Sequence, residues 1–300
     1  MNDEAPRLTE AAEKALALPP EKRIEYIQRD RWIGYDVAKE VIDRMEALLN
    51  HPPVQRTPNL LLIGETNNGK TSILQRFRAR HPPKDDFLSD EAVSLQVLYI
   101  ELEGAPSEDG LYCQILSALF SPFKYSMPTP NKRELVYRLF DKLGIRMLII
   151  DEMNNLLASR KDKQQTFLNA VKRMGNVLQV PIVAAGVIEA ARAIHTDPQM
   201  ANRFEPFALP LWRDDERYWR LLASFERMLP LKEPSDLVEE RLAGRILSIS
   251  EGRLGEISQL LKNAAVYAVR EGTERIDEKA LKSFKWVPPS KRRQAAELLV

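Results

Sequence analysis

The sequence has little of several residue types on which common kinds of site depend. A single cysteine, Cys113, stands among 300 residues, so an internal disulfide is excluded. Cys113 lies in an apolar helical pattern and is predicted to be a core residue. The three histidines, His51, His81 and His195, are scattered and lack the spacing of metal ligands.

Charge of one sign and long apolar runs are also missing. The 44 basic and 43 acidic residues give a net charge of +1, so any nucleic-acid contact must come from a local patch. No apolar run is long enough to cross a membrane, and the first residues do not form a signal peptide. The expected protein is therefore soluble and cytoplasmic, without a membrane partner.

What the sequence does contain is a phosphate-binding pattern. The apolar run 60–63 is too short for a helix and predicts a buried strand, and residues 71–80 predict a helix. Between them lies G-x-x-x-x-G-K-T, in which backbone N–H groups cradle phosphate, Lys70 adds a positive charge and Thr71 offers a hydroxyl to Mg²⁺. The residues predicted to bind ATP and Mg²⁺ here are Gly64, Glu65, Thr66, Asn67, Asn68, Gly69, Lys70, Thr71 and Ser72.

A second motif follows another short apolar run, at 145–150. Asp151 is predicted to hold a magnesium-bound water beside Thr71, and Glu152 to activate the water that attacks the γ-phosphate. Small-molecule kinases usually lack a glutamate directly after this aspartate. The pair therefore favours ATP hydrolysis over phosphotransfer, with Lys70 and Glu152 as catalytic residues.

The order of the segments predicts the fold class. Strands that alternate with helices indicate an α/β fold with a parallel sheet covered by helices on both faces. After Trp212 only helical patterns follow, which indicates a smaller all-helical lid. The predicted boundaries are a flexible or helical lead-in at 1–20, an N-terminal helical segment at 21–57, a P-loop core at 58–210, the lid at 211–286 and a basic tail at 287–300.

Two arginines outside these motifs are candidates for the nucleotide site. Arg203 precedes the last predicted strand, where ring-forming or filament-forming ATPases place an arginine finger for the neighbouring subunit. The alternative is a surface arginine, or one that pairs with Glu205 or Asp197. Arg253 opens a lid helix, a position from which a lid often places an arginine over the nucleotide; the alternative is an exposed helix start.

With these motifs in place, the chain resembles the AAA+ ATPases, and within them the TniB/TnsC family of transposition regulators. The resemblance covers about residues 25–285. Its most specific stretch is 58–71, in which the doublet Asn67-Asn68 looks like the TniB phosphate loop in particular. The segment 30–35 looks like the family's stretch near the adenine, which makes Tyr35 a candidate nucleotide contact. The remaining matches are 148–152, 202–204 and 251–257.

The resemblance implies an AAA+ fold and an ATPase that assembles head to tail, as a ring or helical filament, on double-stranded DNA. Its implied partners are further copies of the chain, a cognate DDE transposase and a TniQ-like targeting protein. The ATP-bound assembly would favour capture of the target DNA, and ATP hydrolysis would release that DNA. The family's DNA-facing loops correspond to about 103–110 and 122–133, and the candidates for phosphate contact are Lys124, Lys132 and Arg133, unless this is an ordinary solvated loop.

The sequence departs from the family pattern at two places. Gly186-Val187 stands where a polar sensor is expected, so hydrolysis is expected to be slow unless Asn154 or Asn155 compensates. Glu256 stands where relatives can carry arginine. Two other functions stay open: a helicase-loader-type AAA+ ATPase, and a nucleotide-gated signalling ATPase that oligomerises without DNA.

Overall fold

The computed structural model describes residues 7–54, 56–84 and 94–292. The strands of this part of the chain are β1 (Asn59–Gly64), β2 (Val97–Glu101), β3 (Met147–Asp151), β4 (Ile182–Gly186) and β5 (Phe204–Leu209). Its α-helices are α1 (Glu10–Leu16), α2 (Pro20–Gln28), α3 (Asp36–Leu49), α4 (Lys70–Arg80), α5 (Glu108–Ala118), α6 (Thr129–Lys142), α7 (Lys161–Leu178), α8 (Ile188–His195), α9 (Pro198–Ala201), α10 (Glu216–Met228), α11 (Glu240–Ser250), α12 (Leu254–Glu271) and α13 (Glu278–Lys282).

The five strands form one parallel sheet in the order β2-β3-β4-β1-β5. Successive side chains of a strand point to opposite faces, and Leu60, Leu61 and Leu62 of β1 are each at most 1% exposed, so both faces are covered. The predicted α/β fold with a covered parallel sheet is therefore confirmed. Because β4 pairs with both β1 and β3, the carboxyl ends of these three strands lie side by side.

The chain divides into two compact units. One consists of Val37–Thr66 and Lys70–Leu209 and contains the sheet; the other takes in the N-terminal helices, Asn67–Gly69 and the chain from Pro210 onward. The core of the sheet unit is formed by buried side chains of the strands and of helices α5 to α8, including Tyr112, Phe140 and Phe167. Cys113 is a buried free thiol on α5, as predicted.

Local sequence signals set the ends of the helices in the helical unit. Asp215 caps α10 by accepting a hydrogen bond from the N–H of Tyr218 at 3.0 Å. Asp277 accepts from the N–H of Ala280 at 2.8 Å and caps α13.

A buried ion pair joins the N-terminal and C-terminal parts of the helical unit. The guanidinium of Arg23 on α2 donates to both carboxylate oxygens of Glu274, at 2.8 and 2.5 Å, and their side chains are 3% and 10% exposed. Ile27 of α2 belongs to the same core as Leu260 and Leu261 of α12. The helices near the N-terminus are therefore part of this unit, although they are far from its other helices in the sequence.

Replacing Arg23 with alanine is expected to destabilise the protein by about 3 kcal/mol, because the buried Glu274 carboxylate loses both guanidinium donors and keeps Lys232, 3.7 Å away, as its charged partner. Burial raises the pKa of the Glu274 carboxyl. The hydrogen bond and charge of Arg23 lower the pKa by more than burial raises it, so it lies below its ordinary value. The pair therefore contributes stability above the unfolded-state pKa, and this contribution is lost as the pH falls through the lower folded-state pKa.

Urea unfolding at neutral and acidic pH measures both effects. Arg29→Ala is the matched control, because Arg29 pairs with Glu25 at the surface with a side chain that is 67% exposed. Equal unfolding midpoints for the Arg23 and Arg29 variants would contradict this account of the pair.

Candidate functional site

The predicted phosphate loop connects the end of β1 to the start of α4. Asn67 and Gly69 adopt left-handed backbone conformations, with φ of 60° and 86°. Asparagine and glycine are the residues that tolerate this conformation best. A Cβ atom at Gly69 would also lie 3.0 Å from Cδ2 of Leu254. These two residues give the loop its tight curl.

Lys70 begins α4 with its ammonium turned back over the loop. The side chain is largely buried, and Nζ donates to the carbonyl oxygens of Gly64 at 2.8 Å and of Glu65 at 2.9 Å. Burial lowers the pKa of Lys70, and the negative charges of Glu152 and Asp151 oppose this shift. The Lys70 ammonium is thus held over the loop, at the N-terminal end of α4, which is the position that a phosphate-binding lysine needs.

The carboxylate of Asp151 lies at the carboxyl end of β3 and is 1% exposed. Its Oδ2 accepts from the hydroxyl of Thr71 at 2.7 Å and from that of Tyr99 at 3.0 Å, while Oδ1 accepts from the N–H of Glu152 at 2.8 Å. The structure therefore brings together the two predicted metal residues, which are far apart in the sequence.

Tyr99 is a member of this site that sequence reasoning missed. It lies in β2 opposite Ile149 of β3. Burial raises the pKa of its hydroxyl, and the charge of Asp151 raises it further. The available signal was a tyrosine within an apolar run of a strand, because a tyrosine hydroxyl needs a partner when it is buried.

Glu152 follows Asp151 in a left-handed conformation, with φ of 56°. Non-glycine residues are strained in this region, and such strain is concentrated at functional sites. Asn154 Nδ2 donates to Glu152 Oε2 at 2.6 Å, whereas Asn155 Nδ2 donates to the carbonyl of Leu102 at 2.5 Å. Of the two asparagines, Asn154 is therefore the one that holds the predicted catalytic carboxylate.

Gly186 ends β4, between the ends of β1 and β3. A Cβ atom there would lie 3.1 Å from Cβ of Met153 and 3.2 Å from Cβ of Ala190, so a polar side chain does not fit without a shift. The packing around Gly186 thus favours a glycine, at the place where the family pattern has a polar residue.

The residues present suit a magnesium ion. Thr71 and Asp151 contribute a hydroxyl and a carboxylate, and Mg²⁺ prefers such oxygen ligands together with phosphate oxygens. The other predicted members of the loop, Glu65, Thr66 and Ser72, are exposed to solvent.

Arg203 lies where the strands begin, at the opposite end of the sheet from the phosphate loop. Its carbonyl accepts from the N–H of Asn59, the first residue of β1. The six residues of β1 separate the two ends by about 17–20 Å. Its guanidinium donates to Asn176 Oδ1, and of the alternative partners Glu205 pairs with Arg44 and Asp197 with Lys172. The structure therefore does not bring Arg203 to the loop of its own chain.

Tyr35 and Arg253 belong to the helical unit. Tyr35 packs edge-on against Trp212 with ring centroids 5.2 Å apart, and burial raises its pKa to about 12. Arg253 directly precedes α12, and its guanidinium lies 3.9 Å from Glu251 Oε2. Arg253 is thus at a helix start, as the sequence predicts.

The family model of the bacterial TniB protein matches residues 23–214 of this chain. The chain belongs to the TniB family. The family predicted from the motifs is thereby confirmed. No curated protein matches this TniB sequence.

Solved structures of other proteins share the fold. The Aeropyrum pernix ORC2 protein is similar over 86% of this chain and 70% of its own, with a TM-score of 0.62 and 14% identity. A. pernix ORC1 in complex with DNA is similar over 87% of this chain and 68% of its own, with a TM-score of 0.61 and 15% identity. The Walker-type ATPase PABY2304 of Pyrococcus abyssi is similar over 89% of this chain and 75% of its own, with a TM-score of 0.56 and 18% identity. At these identities the similarity shows the fold, which is that of the AAA+ ATPases.

The prediction that Lys132 contacts DNA is withdrawn. In this TniB protein Lys132 lies in the first turn of α6, and its side chain is 1% exposed. Its Nζ donates to both carboxylate oxygens of Asp109 and to the carbonyl of Tyr125, at 2.8–2.9 Å. All three ammonium donors are therefore used inside the protein.

The other two candidates of this segment are less enclosed. Arg133 also lies in α6, 3.8 Å from Glu108, with a side chain that is 32% exposed. Lys124 lies in the connection before α6 and is exposed, next to Tyr125, which is 78% exposed.

Within the described residues, no helix combines the length and apolar character that a bilayer span needs.

Lys132→Met is expected to destabilise the protein by about 1–3 kcal/mol, because it removes three internal hydrogen bonds from a buried side chain. Lys124→Met is the matched control and should leave the melting temperature within about 1 °C, because an exposed lysine contributes little. Thermal unfolding of both variants checks this. A melting temperature unchanged by Lys132→Met would contradict the structural role.

Proposed function

We propose that this TniB protein is an ATPase that oligomerises on double-stranded DNA and regulates transposition. The observation that carries the proposal is the hydrogen bond of 2.7 Å between Thr71 and Asp151, at the sheet edge where Lys70 and Glu152 also lie. A phosphate loop, a metal-binding hydroxyl, a buried acid and a second acid meet there. This is the set of groups that hydrolysis of a nucleoside triphosphate requires.

In this proposal the residues of the loop mainly position charge. Lys70 exchanges the carbonyl oxygens of Gly64 and Glu65 for phosphate oxygens. Thr71 and Asp151 would hold Mg²⁺, which would neutralise charge on the phosphates. Glu152 orients the attacking water, and Asn154 keeps its carboxylate in place. Since Gly186 offers no polar side chain to this water, slow hydrolysis is expected.

Arg203 would act on the site of a neighbouring copy. Its place at the beginning of the strands excludes it from its own loop but leaves it available to a subunit that docks head to tail. An arginine supplied in this way stabilises the charge that develops on the transferred phosphoryl group. The assembly would then be a homo-oligomeric ring or filament, because heterologous contacts close into a ring or continue as a helix.

The family carries the rest of the proposal. The partners would be duplex DNA, a DDE transposase and a TniQ-like targeting protein, with ATP favouring target capture and hydrolysis ending it. The ORC1 protein of similar fold was solved in complex with DNA, which supports a DNA-associated role. Lys124 is the best-placed lysine among the candidates for phosphate contact, since it is exposed.

Sedimentation with duplex DNA tests this function. The wild-type protein is expected to sediment with DNA when ATP and Mg²⁺ are present and not without nucleotide. Lys70→Ala should abolish ATP-dependent sedimentation, because the loop loses the charge that holds the phosphates. Assembly with ATP in the absence of DNA would instead favour the signalling ATPase, and normal assembly of Lys70→Ala would contradict nucleotide gating.

A mixing experiment tests whether the site is shared between subunits. Arg203→Ala and Glu152→Gln should each abolish most hydrolysis when assayed alone. An equimolar mixture should recover about a quarter of the wild-type rate, because one interface in about four joins an intact Glu152 to an intact Arg203. Steady-state phosphate release measures this, and a mixture no faster than either variant would exclude the finger.

A further inference from the structure

The phosphate loop is tied to the beginning of α12 through its two asparagines. Asn67 Nδ2 donates to Glu256 Oε1 at 2.8 Å, and the carbonyl of Asn67 accepts from the N–H of Gly255 at 2.9 Å. Asn68 Oδ1 accepts from the N–H of Leu254 at 3.3 Å. A Cβ atom at Gly255 would lie 1.9 Å from Asn67 Oδ1, so glycine is required for this approach.

These contacts place an acidic residue beside a loop that is proposed to bind a polyanion. Glu256 is 3% exposed, so its charge is poorly screened by water. An uncompensated carboxylate here would repel the phosphates of a nucleotide. A compensating positive charge is therefore needed for the loop to function.

Arg292 supplies that charge. Its NH1 donates to Glu256 Oε1 at 2.8 Å and its NH2 to Glu256 Oε2, so the guanidinium engages both carboxylate oxygens. This fork geometry is the strongest form of arginine–carboxylate pairing. The bond to Glu256 also raises the pKa of Arg292.

The chain around Arg292 is anchored to the connection between α11 and α12 and to its own backbone. The N–H of Ser290 donates to the carboxylate of Glu251 at 3.2 and 3.1 Å, and Arg292 Nε donates to the carbonyl of Val287 at 3.1 Å. The guanidinium also lies 5.7 Å from the ring centroid of Trp286. The arginine is thus delivered by a segment with its own anchors, although its side chain is half exposed.

We propose that Arg292 is a positioning residue for nucleotide binding: it neutralises Glu256, and so allows Glu256 to hold Asn67 without repelling the nucleotide. The inference rests on the proposed nucleotide site. Glu256 provides the hydrogen bond that fixes the loop, and Arg292 removes the electrostatic cost of that bond. Displacement of the segment 288–292 lowers nucleotide affinity, which makes this segment a point of regulation.

The test measures the affinity of the full chain for three ligands that differ in phosphate charge: ATP, ADP and adenosine. Arg292→Ala is expected to weaken ATP binding about tenfold, because it leaves the buried charge of Glu256 uncompensated beside the loop. ADP should lose less and adenosine nothing. Lys291→Ala removes the same charge from an exposed neighbour and is the matched control.

The double variant Glu256→Gln with Arg292→Ala provides the decisive comparison. Glutamine keeps an acceptor for Asn67 but carries no charge, so the double variant should bind ATP within about threefold of the wild type. A loss that is equal for all three ligands, or that Glu256→Gln does not rescue, would overturn the role of Arg292. Failure of the wild-type protein to bind ATP would overturn the proposed function itself.

Discussion

The buried carboxylate of Asp151 is the group on which the rest of the candidate site depends. It accepts hydrogen bonds from Thr71, Tyr99 and the backbone of Glu152, which belong to α4, β2 and the end of β3. A carboxylate that is 1% exposed is tolerated only when such donors satisfy it. The same bonds fix Thr71 and Glu152 relative to each other, so a requirement for stability also sets the geometry for phosphate chemistry.

The sheet provides the rigidity that this arrangement needs. Asn67 and Glu152 have positive φ, a conformation that costs a non-glycine residue about 1–3 kcal/mol. The strands that lead into them are buried on both faces, which holds the strained residues in place. Asn67 and Glu152 lie in the two short segments that would contact the nucleotide and the attacking water.

The fold and the centre of the site could be predicted from sequence because their signals are local. Short apolar runs bounded by loops specify buried strands, and the residues that follow β1 and β3 are contiguous motifs. The role of Lys132 could not be predicted, because its burial depends on a bond to Asp109 across the packing of α5 against α6. Tyr99 and Arg292 were missed for the same reason, since each acts through a partner distant in sequence.

A structure determined with Mg²⁺ and a non-hydrolysable ATP analogue tests the central claim most directly. The account predicts the triphosphate along residues 64–72, with Lys70 Nζ on phosphate oxygens and the metal on the side of Thr71 and Asp151. In an assembled form it also predicts Arg203 of a neighbouring copy near the terminal phosphate. A nucleotide bound away from this loop, or a metal that Thr71 and Asp151 do not face, would contradict the account.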